Sequence, residues 1–214
     1  MDEIDSIIFD FDGVVVESVD IKTEAFAALY APHGPEIVAK VIHHHLEHGS
    51  VSRFEKLRVF EEQFLGRPVT SAQLDALAQR FSDLVEEQVV HCPWVCGALE
   101  LLETAAHETQ LFVASGTPED ELIRIVRRRG ISRFFKAVRG SPTKKVQIVR
   151  ELVATFALSP SRTLMIGDSL GDYDAADASG LRFVGRVAPG LANSFSPNVP
   201  VVSDLRGLVN ALSR

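Results

Sequence analysis

After Pro93 the chain alternates short apolar runs with helical stretches, and this pattern constrains the fold more than any other feature. Clear apolar runs stand at 111–114 and 163–166, with weaker ones at Ala137-Val138, Phe183-Val184 and Val201-Val202. Helical segments at 95–107, 119–129, 144–156, 170–178 and 206–212 separate them. Such alternation builds βαβ units on a parallel sheet. An Ile-rich run at 4–9 adds a buried strand near the start. Between this strand and Pro93 the pattern is purely helical, over 19–30, 36–48, 52–65 and 71–90. The breaks are Pro32-His33-Gly34-Pro35, Gly49-Ser50 and Gly66-Arg67-Pro68, and Ser71 is the expected N-cap of the last helix. The expected architecture is α/β: a Rossmann-like parallel-sheet core from residues 1–15 and 92–214, with an inserted four-helix cap at 16–91.

The chain has 214 residues, long enough for a core with a smaller insert. With 46% hydrophobic and 24% charged residues it has ordinary globular composition. The net charge of -7 argues against a nucleic-acid binder, which needs a basic face. No apolar run approaches the ~18 residues of a bilayer span. The start, Met1-Asp2-Glu3, is acidic where a signal peptide is basic. A soluble, cytoplasmic protein is expected, with neither a nucleic-acid nor a membrane partner. Cys92 and Cys96 cannot form a disulfide framework and read as small buried hydrophobes.

In an open α/β sheet the site lies beyond the carboxyl ends of the strands. The first strand delivers Asp10-Phe11-Asp12-Gly13. Period-two alternation sends both carboxylates to one side, where they suit a hard cation or divided nucleophile and acid roles. A calcium loop is excluded, because Gly13 comes too early and Ile21 stands in place of the closing Glu. The run at 111–114 delivers Ser115-Gly116-Thr117 before a helix, suited to an anion or to simple capping. Val113 rules out a Gly-x-Ser-x-Gly elbow. Lys144-Lys145 opens a later helix without P-loop spacing. The run at 163–166 delivers Gly167-Asp168-Ser169, with Asp172 one helical turn on. One acidic pair at a helix start is ordinary dipole decoration. Two pairs, a hydroxyl and a lysine, each after a strand, point to a site.

This set resembles the haloacid dehalogenase superfamily of phosphotransferases. The carriers are Ile7-Ile8-Phe9-Asp10-Phe11-Asp12-Gly13-Val14, Leu111-Phe112-Val113-Ala114-Ser115, Lys144-Lys145, and Met165-Ile166-Gly167-Asp168-Ser169 with Asp172. The resemblance implies Asp10 as nucleophile, forming an aspartyl-phosphate, and Asp12 as general acid and then base. It implies Mg²⁺ held by Asp10, the backbone carbonyl of Asp12 and Asp168, with Asp172 orienting the metal's waters or Asp168. It implies phosphate binding by Gly13, Ser115, Gly116 and Lys145, Lys145 being chosen over Lys144. An acid at Asp12 favours a phosphatase or phosphomutase over a dehalogenase, since halide leaves without a proton.

Gly49-Ser50-Val51-Ser52-Arg53 resembles the cap loop of β-phosphoglucomutases, with one extra residue. Arg53 is then a candidate grip on a substrate anion, or a surface arginine opening a helix. Lys22 stands where the mutases carry a histidine that slows hydrolysis, so a phosphatase is favoured and Lys22 becomes a second candidate substrate contact. The expected partner is a small phosphorylated metabolite, such as a sugar phosphate or phosphoglycolate, and the expected state is a monomer. His44-His45-Leu46-Glu47-His48 formally matches an inverted zinc-peptidase signature without a third ligand, and reads as a polar helix face. A non-catalytic phospho-ligand binder on the same fold is the reading of another class.

Overall fold

The computed structural model describes residues 4–49 and 51–212, so Met1-Asp2-Glu3 and Ser50 of the cap loop lie outside the described residues. The strands are β1 (Ser6–Phe9), β2 (Gln110–Pro118), β3 (Phe135–Ser141), β4 (Thr163–Gly167), β5 (Arg182–Arg186) and β6 (Val201–Val202). They form one parallel sheet in the order β3-β2-β1-β4-β5-β6. β1 is buried on both faces, which is why it reads as an unbroken apolar run. Ile7 and Phe9 join one apolar layer and Ile8 the other.

The helices are α1 (Val19–Tyr30), α2 (Pro35–Glu47), α3 (Arg53–Val59), α4 (Ser71–His91), α5 (Ala98–Ala105), α6 (Glu119–Arg128), α7 (Lys145–Thr155), α8 (Leu170–Asp177) and α9 (Arg206–Leu212). Leu101 of α5, Leu122 of α6 and Val209 of α9 pack on the Ile7 side of the sheet. Ile148 and Leu152 of α7 and Ala175 of α8 pack on the Ile8 side. The helices α1 to α4 form their own layer around the rings of Phe26, Tyr30, Phe60 and Phe81, with Phe26 and Phe81 centroids 4.2 Å apart. No helix among the described residues is long and apolar enough to cross a membrane.

The chain leaves the sheet layer and returns to it at one place. Val16 bridges Trp94, Glu17 N–H donates to Pro93 O at 3.0 Å, and Val95 N–H donates to Val15 O at 3.1 Å. Arg129 stacks on Trp94 at 3.8 Å and donates to the carbonyls of Val89, Val90 and Cys92, gripping the end of α4.

Four local expectations change. Thr70, not Ser71, caps α4, through a reciprocal capping box with Gln73. The helix expected over 52–65 is α3 followed by a π-helical turn, Phe60–Phe64. Ser115-Gly116-Thr117 continues β2 rather than leaving it, because a bulge lets Pro118 pair with Ser141 of β3. Cys92 is buried as expected, but Cys96 is exposed in the turn that leads into α5.

Candidate active site

The sheet order reverses between β1 and β4, the place where open α/β sheets take ligands. Asp10 follows β1 and Asp168 follows β4, so the two carboxylates flank that crevice. Gly13 makes their approach possible. Its φ is +75°, and a Cβ there would lie 2.2 Å from Asp168 Oδ2.

Asp10 Oδ1 accepts from Phe11 N–H at 2.8 Å and pairs with Lys145 Nζ at 2.9 Å. Lys145 also reaches Asp172 Oδ1 at 2.5 Å. Lys144 is exposed and lies 3.5 Å from Glu55, so the fold brings Lys145 of the adjacent pair to Asp10. The other oxygen of Asp172 accepts from the Ser169 backbone N–H at 3.0 Å and from its hydroxyl at 2.6 Å. With both oxygens engaged, Asp172 holds Lys145 and the Ser169 turn in place.

Carboxylate oxygens of Asp10, Asp168 and Asp172 lie within 4.8 Å of one another. Burial pushes Asp10 up to about 7 against the pull of Lys145, and Asp172 and Asp12 raise it further. Burial likewise raises Asp168 well above the usual carboxylate range, with Asp10 adding to it. Three acids facing one lysine, Asp10 and Asp172 buried and Asp168 half-buried, make an oxygen-rich, electron-rich cluster, the donor set a hard divalent cation takes. The residues present therefore fit Mg²⁺.

Asp12 is separate from this cluster. Its Oδ1 accepts from Ser18 Oγ at 2.6 Å. Its Oδ2 accepts from Lys22 Nζ and from Thr117 Oγ1 at 2.9 Å, with Ser115 Oγ at 3.4 Å. Burial alone would raise Asp12, but Lys22 and these hydroxyls outweigh it and hold the carboxyl down at about 2. The Asp12 carboxylate is thus directed to cations and hydroxyls, leaving only its backbone carbonyl as a possible metal donor.

A cavity of about 870 Å³ lies between the sheet ends and the helical layer. Asp10, Asp12, Asp168, Lys22, Gly116 and Thr117 are among its walls. Ser115, expected to hold phosphate, is 1% exposed; its hydroxyl accepts from Thr117 N–H at 3.1 Å and faces Asp12. Arg53 departs further from expectation. Its guanidinium grips Glu121 of α6 in two 2.7 Å bonds and also donates to Ser82 Oγ at 2.7 Å. Both partners are almost fully buried, so Arg53 ties the helical layer to the sheet layer rather than standing free for substrate. Lys22, expected to meet substrate, sits on Asp12 and Thr117.

Residues 7–186 match the haloacid dehalogenase-like hydrolases. The chain belongs to that family. A phosphoglycolate phosphatase of Mesorhizobium japonicum is 23% identical over 83% of this chain and 80% of its own. With this phosphatase among its relatives, the family match makes the chain a hydrolytic enzyme of the phosphatase type. The fold is shared with CbbY of Rhodobacter sphaeroides, solved with phosphate, at TM-score 0.74, 19% identity and 96% coverage of both chains. It is also shared with a β-phosphoglucomutase of Clostridium difficile at TM-score 0.76, 18% identity, and 96% and 93% coverage.

Several site residues of this haloacid dehalogenase-like hydrolase are not singled out by its motifs. Ser18 and Lys22 stand one helical turn apart and converge on Asp12, a spacing readable in the sequence. Thr117 stands in the motif segment but outside the motif's own serine. Arg186, which pairs with Glu17 at 2.7 Å and donates to Gly13 O at 3.1 Å, comes from β5 and carries no local signal. Glu121 reads as one of three acids in a first helical turn.

Proposed function

We propose that this chain is a Mg²⁺-dependent phosphatase that hydrolyses a small phosphate monoester through an aspartyl-phosphate on Asp10. One observation carries the reading: two carboxylates two residues apart are held by different partners for different work. Asp10 is anchored through one oxygen to Phe11 N–H and Lys145, and no donor among the described residues meets the other. Asp12 is held by a lysine and by the hydroxyls of Ser18 and Thr117.

In the first step an Asp10 oxygen attacks phosphorus and the bond to the leaving oxygen breaks. Asp12 supplies the proton that oxygen needs. It does so only after Lys22 has been drawn away and the carboxylate has taken up a proton from solvent, because beside Lys22 it stays ionised. An incoming phosphate is anionic and competes for the Lys22 ammonium. In the second step Asp12 takes a proton from water, which attacks phosphorus and frees Asp10 and inorganic phosphate. Lys145 offsets charge at Asp10 throughout, and Gly116 and Thr117 line the phosphoryl end of the cavity. Mg²⁺ held by Asp10, the Asp12 carbonyl and Asp168 would neutralise phosphoryl charge and favour the ionised carboxylates.

The same reading makes the enzyme a cytoplasmic monomer acting on a small phosphorylated metabolite. The phosphomutase reading loses the arginine on which it leaned, since Arg53 is paired with Glu121. The zinc reading gains no ligand: His43 pairs with Glu47, and the metal-type cluster among the described residues is the aspartate one. The test is phosphate release from a panel of monoesters, p-nitrophenyl phosphate and phosphoglycolate included, with Mg²⁺ and with EDTA. Metal-dependent release is expected; a panel left intact with Mg²⁺ present defeats the reading.

A further inference from the structure

The cations lining the catalytic cavity are paired with carboxylates, with one exception. Lys22 meets Asp12, Arg53 meets Glu121, and Arg186 meets Glu17. Lys56 of α3, 3% exposed, meets no carboxylate among the described residues. Its Nζ lies 3.0 Å from His45 Nδ1 and 3.3 Å from Gly49 O. An ammonium donates, so His45 Nδ1 accepts and the ring hydrogen sits on Nε2. That Nε2 is buried and has no partner. Lys56 and His45 both line the cavity that holds Asp10 and Asp12.

A buried ammonium without a counter-ion, beside a buried N–H without an acceptor, is a destabilising arrangement. Burial, with Lys22 adding to it, pulls Lys56 down to about 7, and burial with Lys56 beside it pulls His45 down to about 3. Both vacant valences call for the same thing, an anionic oxygen group entering from the cavity. The transferring phosphoryl belongs at Asp10, where Lys145 already stands.

We propose that Lys56 Nζ and His45 Nε2–H form a second anion subsite in the helical layer, selecting esters whose leaving group carries a further carboxylate or phosphate. The inference rests on the phosphatase reading and narrows its substrate class. It also moves the specificity role from Arg53, which the cap loop suggested, to Lys56 one helical turn later.

The test compares matched esters under Mg²⁺. Phosphoglycolate is set against ethyl phosphate, and ethylene glycol bisphosphate against 2-hydroxyethyl phosphate, which separates carboxylate from phosphate. The wild type is expected to prefer the anion-bearing member of one pair by about 10- to 100-fold in kcat/KM. Lys56→Met is expected to collapse that ratio, Lys56→Arg to retain most of it, and His45→Phe to reduce it part-way. Equal kcat/KM within both pairs in the wild type overturns the subsite, and this needs no variant. A Lys56→Met loss equal for both members also overturns it, since Lys56 would then serve the transferring phosphoryl. If p-nitrophenyl phosphate and all four esters stay intact, the phosphatase reading fails and the subsite with it. Hydrolysis without preference fails the subsite alone.

Discussion

Lys22 Nζ and Thr117 Oγ1 converge on the same oxygen of Asp12, and Lys22 also donates to Thr117 Oγ1 at 2.6 Å. Asp12, the proposed proton-transfer group, is therefore held in its ionised form while the site is at rest. Asp12→Ala separates its two duties. p-Nitrophenolate leaves without a proton, so the variant should release about one equivalent of it rapidly and then stall, the phosphoenzyme waiting for a base. Steady turnover should fall by about 10³-fold or more. Rapid-mixing kinetics check this, and steady release with no burst would remove Asp12 from the second step.

Asp10 carries the opposite burden. Its folded pKa lies near 7, raised by burial, against an unfolded value near 3.8. A carboxyl raised on folding binds its proton more tightly in the native state. Stability from that proton is full below about 4 and is lost as pH rises through about 7. Asp10→Asn lacks this loss. In EDTA, its melting temperature should exceed the wild type's by a margin that widens from pH 5 to pH 8, while turnover disappears. A margin that narrows over that range would contradict the assignment.

Magnesium should raise the wild-type unfolding free energy at neutral pH by about 2.7 kcal/mol when present at a hundred times its dissociation constant, and the melting temperature with it. Asp168→Asn should lose most of that gain, because Asp168 is a proposed donor whose carboxylate has no lysine of its own among the described residues. Differential scanning calorimetry with and without Mg²⁺ reads both. An undiminished gain in Asp168→Asn would place the ion elsewhere.

The Arg53–Glu121 pair should behave as a buried ion pair. Removing one partner leaves the other charge stranded, so Arg53→Met or Glu121→Leu should each destabilise by about 3–5 kcal/mol. The double variant should be less damaged than the sum of the two. Urea unfolding of all four proteins gives the coupling, and additive losses would argue that the two residues act independently.

The sheet and its helices were legible because each depends on local periodicity. The residues 7–9 and 164–166 are apolar without interruption because helices cover both faces, and β1 and β4 appear where those runs stand. The acids were legible for the same reason, since a residue just past a strand end has its location set by the strand. The strand character of Ser115-Gly116-Thr117 was not, because it depends on pairing with β3, 20 or more residues on. The pairing of Arg53 is hidden in the sequence for a related reason. A guanidinium after Ser52 looks free until a distant α6 brings Glu121 to it. Lys56 gave no signal at all, since only packing shows which of several lysines on helices lacks a counter-charge.

The paired crossing at Val16 and Trp94 bears on how such a protein diversifies. The sheet is fastened to the intervening helices by a two-rung closure. To the strands, the segment threaded between those rungs is a loop that leaves and returns at one point. Its length and shape can change over descent, provided Lys22 still reaches Asp12 and Arg53 still reaches Glu121, while the aspartates keep their stations. The catalytic half can be inherited intact, and novelty in what is recognised can accumulate in the part that the sheet never has to fold around.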